Sequence, residues 1–154
     1  MSKTFVSDTC ALIEFFYETF RHFQVGRKVT DTLSREAKAV FQSAISDHNN
    51  SPIRLTLSSV TFIEIFEKWL TNDPDCRRFH YEVYLPIIES PNIEIRNLDI
   101  EVLENLSQIG DAEVGEHDKI VLATAITLNA PLITIDGDIC DYVRKTKVIP
   151  RLLW

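Results

Sequence analysis

Cysteine is scarce in this 154-residue chain, with only Cys10, Cys76 and Cys140. The count is odd and no two form a C-x-x-C pair, which argues against a disulfide framework or a structural zinc site. Free thiols in a reducing compartment are the expectation. Glycine is equally sparse, at 4 residues against 6 prolines. No G-x-x-x-x-G-K-[ST] or G-x-G-x-x-G run occurs, so the common nucleotide-binding loops are missing. No Gly/Ser or Pro-rich linker divides the chain, and no internal repeat is visible, so residues 1–154 read as one domain. Long apolar runs are missing too. The charge-free stretch 120–135 falls short of the ~20 residues a membrane span needs, and Thr, Asn and Pro interrupt it. Positive charge is in deficit, with 16 Lys and Arg against 23 Asp and Glu and a net charge of −7. That counts against a broad duplex-binding surface, although it allows a local basic rim. The N-terminus meets Asp8 before a signal-like apolar run can form, so the cytoplasm is the expected location.

What is present is ordinary globular material, 45% hydrophobic and 25% charged. A chain of this size can bury roughly 68–70% of its extended surface. It needs no metal for stability, so a bound metal would have a functional role. Residues 4–7 read as a strand running into Asp8. Leu12, Phe15, Phe16, Thr19, Phe20 and Phe23 recur at helical spacing over 11–23. A second helix is expected over 30–46, with Leu33, Ala37, Val40, Phe41 and Ala44 on one face. The turn Asn49-Asn50-Ser51-Pro52 precedes a strand over 53–57. Ser58 or Ser59 can cap a helix over 60–70. Asp73-Pro74 opens another helix that runs to about Glu89. A strand follows over 93–95, then a short helix from Asp99 to near Gly110 and a helix over 116–129. A strand over 131–135 and a final one at Val148-Ile149 complete the pattern. Short apolar strands alternating with helices indicate an α/β domain with a parallel sheet covered on both faces.

Ligands of such sheets bind beyond the carboxyl ends of the strands. Asp8 stands directly after the first strand, Asp136 directly after the 131–135 strand, and Asp138 two residues on. An aspartate there is also a common turn former or helix cap, and both readings stay open. Asp118 lies in the first turn of its helix and shares a face with Val121, Leu122 and Ala125. An acid on an apolar stripe is costly to bury unless it is paired or binds a cation. Helix-dipole stabilisation accounts for its place in the turn. Glu64 falls nearly opposite the arc of Phe62, Ile65, Phe66, Trp69 and Leu70, so periodicity alone reads it as solvated.

Three segments resemble the PIN-domain ribonucleases, in particular the VapC-type toxins of toxin–antitoxin pairs. Phe5-Val6-Ser7-Asp8-Thr9-Cys10-Ala11-Leu12-Ile13 is similar to the family's opening hydrophobic-Asp-Thr-Ser/Asn-Ala-Leu-Ile pattern. Leu57-Ser58-Ser59-Val60-Thr61-Phe62-Ile63-Glu64-Ile65 is similar to its Ser-x-x-Thr-x-x-Glu segment. His117-Asp118-Lys119-Ile120-Val121-Leu122-Ala123-Thr124-Ala125, followed by Ala130-Pro131-Leu132-Ile133-Thr134-Ile135-Asp136-Gly137-Asp138-Ile139, is similar to its His-Asp-x-x-Ile-Ala-x-Ala run and closing Thr-x-Asp signature. Each fragment alone is weak, and their order and context make the set specific.

The resemblance implies a three-layer α/β/α sandwich with a central twisted parallel sheet and a metal site at the strand ends. By it, Asp8, Glu64, Asp118 and Asp136 are the candidate catalytic quartet. Asp138 matches an acid found in some members, and Thr9 and Thr134 match hydroxyls that support the acids. The implied activity is a Mg²⁺- or Mn²⁺-dependent endoribonuclease leaving a 5′-phosphate and a 3′-hydroxyl, with an antitoxin as partner. Two features depart from the family. Asp8 and Glu64 lie further apart than in its compact toxins, with the excess in 20–50, and Cys10 stands where Ser or Asn is usual.

The acids suit that chemistry. Carboxylate oxygens are hard ligands for Mg²⁺ or Mn²⁺, and His22, His48, His80 and His117 are too scattered to form a zinc set. The expected metal ligands are Asp8, Asp118, Asp136 and Asp138, with Glu64 orienting or deprotonating the attacking water. Residues 97–118 hold seven acids and no Lys or Arg, so RNA must land elsewhere. Arg21, Arg27, Lys28 and Lys119 are candidate substrate contacts, with Lys68, Arg144, Lys145 and Lys147 as further rim cations. The apolar helices around 62–70 and 79–88 suit an antitoxin helix, a homodimer interface or plain core. Two other readings remain. One is a PIN-fold RNA- or protein-binding module with little or no activity, which predicts no uptake of Mg²⁺ or Mn²⁺. The other is a phosphatase with an aspartyl nucleophile, which needs Asp-x-Asp at the first strand, where this chain has Cys10.

Overall fold

The computed structural model describes residues 3–16, 33–46, 51–70, 72–110 and 114–154. The region around Gly26, together with Arg21, Arg27, Lys28, His22 and His48, lies outside them. Five strands form one parallel sheet. They are β1 (Lys3–Ser7), β2 (Ile53–Ser58), β3 (Ile93–Arg96), β4 (Leu132–Ile133) and β5 (Leu152–Leu153), in the order β3-β2-β1-β4-β5. The chain builds outward from β1 to β3 on one side, then crosses back and adds β4 and β5 on the other. The gap between the carboxyl ends of β1 and β4 is therefore the topological switch point, where open α/β sheets bind their ligands.

The sheet is covered on both faces, and strand alternation sorts its side chains between the two layers. Phe5, Leu55, Leu57 and Ile133 enter one core, which they share with α1 (Thr9–Phe15), α2 (Arg35–Ser46) and the helical stretch 73–89. Val6 and Leu132 enter the other, against α6 (Ile100–Ile109), α7 (Glu116–Leu128) and α8 (Gly137–Thr146). Between these layers α3 (Ser59–Lys68) contributes Val60 to one core and Ile65 to the other. The result is the expected three-layer α/β/α sandwich.

Local chemistry sets the helix ends. Asp8, Ser58, Asn72, Asp99 and Asp136 each accept a backbone N–H at the start of a helix, as N-cap side chains do. The helix expected from Asp73-Pro74 to Glu89 is continuous but uneven. It comprises α4 (Asp73–Phe79), a π-helical turn at His80–Tyr84 and α5 (Leu85–Glu89). Pro86 lies at the start of α5, where its missing N–H breaks the i→i−4 ladder.

Two parts of the sequence reading need correction. The last strand is Leu152–Leu153 rather than Val148-Ile149. Pro150 lacks a backbone donor, and Ile149 buries its side chain in a core cluster while Leu132 and Thr134 donate to the carbonyls of Arg151 and Leu153. Helix α8 was not foreseen. Its apolar face is narrow, with Ile139, Cys140 and Val143 buried among charged neighbours.

Candidate functional site

Asp8 closes β1 and begins α1. Its backbone N–H donates to Ile133 of β4 at 3.1 Å, which locks it at the switch point. Its side chain is 1% exposed. Oδ1 accepts the Ala11 N–H at 2.7 Å, and Oδ2 accepts the Thr134 hydroxyl. Burial pushes the carboxyl up to about 7. The bonds from Thr134 and Ala11 oppose that rise, and the charges of Asp118 and Asp136 add to it.

Thr134 links two of the acids. Its oxygen also accepts the Asp136 N–H at 3.0 Å, while Asp136 caps α8 by accepting the Ile139 N–H at 3.0 Å through Oδ1. Asp136 is half-buried, and Asp138, in the first turn of α8, is exposed.

Glu64 departs from its helical wheel. Val60, Thr61, Glu64 and Ile65 are the inward residues of α3, and Glu64 is 9% exposed, whereas Phe66, assigned to the buried arc, is 53% exposed. The reason is that α3 packs on both α1 and α7, so its inner face is set by two neighbours rather than by one apolar stripe. Glu64 Oε2 accepts the Thr9 hydroxyl at 3.1 Å, and Thr9 also lies 3.3 Å from the Thr61 hydroxyl. Oε1 accepts from Lys68 Nζ at 3.2 Å, and His117 Nδ1 stands 3.6 Å from Oε2.

Asp118, the third residue of α7, is half-buried. Burial pushes it up to about 6, with Asp136 and then Glu64 raising it further and Lys68 and His117 pulling it back. Gly115 precedes this helix. A β-carbon there would stand 3.3 Å from Asp118 Oδ2, so glycine leaves the carboxylate its space.

These shifts place Asp8, Glu64, Asp118 and Asp136 in one electrostatic field. Cys10 registers the same field. Packing around its sulfur, and then the charges of all four acids, push the thiol up to about 12. Lys119 spans to Glu116, with Nζ 3.7 Å from Oε1. The pairing of Lys68 and His117 with Glu64 went unread in the sequence. The i,i+4 spacing of Glu64 and Lys68 carried that signal, whereas the contact with His117 depends on α3 meeting α7.

The donor set is all oxygen and suits a hard divalent cation. Among the described residues, no three His, Cys, Asp or Glu side chains form a group able to hold a metal ion. The acids share a field without converging on one point.

No protein-family model matches the chain, and no curated protein matches it. Solved structures do. One is a crystal structure of VapBC2 from Rickettsia felis bound to a DNA fragment from their promoter. The likeness has a TM-score of 0.60 at 13% identity, over 97% of this chain and 96% of that one. Another is a toxin–antitoxin complex from Klebsiella pneumoniae, with a TM-score of 0.54 at 21% identity, over 96% and 95%. The chain thus has the PIN-like fold of VapC-type toxins, an all-parallel five-stranded sheet between two helical layers.

Proposed function

We propose that the protein is a Mg²⁺- or Mn²⁺-dependent endoribonuclease and the toxin of a toxin–antitoxin pair. The observation that carries this reading is the pair Asp8 and Asp136 at the β1/β4 switch point of the sheet, with Glu64 and Asp118 in the same electrostatic field and Asp8 and Asp118 pushed up by burial and by their acidic neighbours. Buried like charges destabilise a fold unless a cation compensates them. Asp8, Asp118 and Asp136 would hold the cation, with Asp138 at the rim.

When bound, the metal activates a water and neutralises charge on the phosphate. The chain supplies the rest. Ala11 and Thr134 orient the Asp8 carboxylate by donating to its two oxygens. Thr9 fixes Glu64 through Oε2, which leaves that carboxylate ready to orient the water or take its proton. Gly115 keeps space for Asp118. Lys119 and the cations in the insertion, Arg21, Arg27 and Lys28, would contact the RNA. The substrate is cytoplasmic RNA.

The antitoxin would cover Ile63, Phe66, Tyr81 and Ile88, large apolar side chains exposed on α3 and the 73–89 stretch. The same face suits a homodimer. Co-expression with the product of the neighbouring reading frame, followed by purification of a stoichiometric complex, tests the first assignment.

Asp8→Asn and Asp118→Asn test the chemistry. Each is expected to lower cleavage of structured RNA at least ~100-fold while the variant still melts cooperatively. The parent is expected to leave 5′-phosphate ends, mapped by ligation-dependent sequencing. Parental cleavage by both variants overturns the assignment. The second reading, a PIN-fold RNA- or protein-binding module, is favoured by the acids not converging into a ready ligand group. It predicts no heat on calorimetric titration with Mn²⁺.

A further inference from the structure

A cavity of about 230 Å³ opens on the β1–β3 half of the sheet, toward the amino ends of the strands, with Thr4, Arg54, Thr56, Pro91 and Glu94 in its lining. Strand register explains this set. Thr4 stands opposite Arg54, Val6 opposite Thr56, and Thr56 opposite Glu94. Alternation therefore puts Thr4, Arg54, Thr56 and Glu94 on the sheet face that carries Val6. The turn before β3 fixes the wall. Asn92 donates its N–H to Ser90 Oγ at 3.3 Å, and its carbonyl accepts the Leu55 N–H at 2.9 Å. Arg54 Nη1 donates to the Pro91 carbonyl at 2.7 Å, which holds the guanidinium at the wall with donors to spare. Two features of this lining have no answer within the fold. Thr56 is 1% exposed, and among the described residues its hydroxyl has no hydrogen-bond partner. A buried polar group left unpaired costs free energy. Arg54 and Glu94 also line the same cavity with opposite charges, yet among the described residues no ion pair joins them.

We propose that this cavity is a binding site for a small zwitterion, a free α-amino acid. A simple anion would meet Glu94, and a simple cation would meet Arg54. A ligand with both charges answers both. Its carboxylate accepts from the Arg54 guanidinium and from the hydroxyls of Thr4 and Thr56, and its ammonium donates to Glu94. The size agrees, since cavities for drug-sized ligands run to roughly 300–1,000 Å³, and Pro91 offers an apolar wall to a modest side chain. Thr4 lies four residues before Asp8, about 13 Å along an extended strand. The site is therefore separate from the acids, and it stands whether or not the protein cleaves RNA.

The test is titration of leucine into the full chain, followed through its backbone amide resonances. N-acetylleucine, which lacks the cation, and leucinamide, which lacks the anion, are titrated in parallel. Leucine is expected to cause saturable shifts in the millimolar range, centred on Thr4, Arg54, Thr56 and Glu94, and both analogues are expected to bind more weakly. Thr56→Val keeps the shape of the side chain and removes the hydroxyl. It is expected to weaken leucine about three- to tenfold, the range of one hydrogen bond, while melting at or above the parent without ligand. Glu94→Gln is expected to weaken leucine about two- to fivefold, as loss of one screened charge pair does. Glu67→Gln, at an exposed acid of α3, controls for net charge and is expected to bind as the parent does. Absence of saturable shifts at these residues overturns the inference. So does an analogue of single charge that binds as well as leucine, or a Thr56→Val variant that binds leucine undiminished. A Thr56→Val variant that melts below the parent would show that the hydroxyl is already paired within the fold, which also overturns it.

Discussion

Asp8 is held against its own charge. An unfolded aspartate titrates near 4, and the folded one does so at about 7, chiefly because it is buried. Between those values the folded protein keeps a proton that the unfolded chain has lost. The resulting stability is therefore present in full below pH ~4 and is lost as pH rises through 7. Asp8→Asn removes the charge while retaining a group that can accept the Ala11 N–H. In EDTA at pH 7.5 the variant is expected to be more stable than the parent by on the order of 2 kcal/mol. That advantage should vanish toward pH 4, as followed by thermal melts across the range. A variant less stable than the parent at pH 7.5, or a gap indifferent to pH, contradicts this account. Asp8 was legible because it directly follows a strand. Glu64 was legible only through family resemblance, since the burial of a helical acid depends on which neighbours the helix meets.

Helix boundaries were readable where a capping side chain precedes a clear apolar stripe. Ser58 and Asp99 stand at their helix starts as read, and Gly110 ends α6. Gly110 has φ +59 and ψ −127, a conformation that a β-carbon disfavours. Gly110→Ala is expected to cost about 1 kcal/mol of stability even though the added carbon meets nothing within 4 Å. A denaturant melt measures it, and an unchanged midpoint would show that the turn relaxes freely. The elements that escaped the reading have a common cause. Strand β5 pairs with β4 through two residues only, too few for a periodic signal. In α8, Asp141, Arg144 and Lys145 dilute a stripe formed by Ile139, Cys140 and Val143. Tertiary pairing decides such segments, and the local pattern does not record it.

Topology brings four acids that are distant in sequence into one electrostatic field. The order β3-β2-β1-β4-β5 sets Asp8 beside the strand that leads to Asp136. Helices α3 and α7 bring Glu64 and Asp118 into the same field. The strand–helix alternation was legible from local pattern, but the coupling was not, because it arises from strand order and helix packing. Coupling of this kind makes metal uptake depend on pH, since a cation binds the ionised carboxylates and must expel their protons. With Asp8 at about 7 and Asp118 at about 6, both are largely ionised at pH 7.5 and largely protonated at pH 5.5. If each must be ionised to bind, Mn²⁺ affinity should fall about 100-fold over that interval. Titrations at pH 5.5, 6.5 and 7.5 in buffers of different ionisation enthalpy would also report proton release on binding. An affinity flat across this range would mean that Asp8 and Asp118 stand outside the ligand set, because exposed carboxylates with ordinary values near 4 would be ionised throughout.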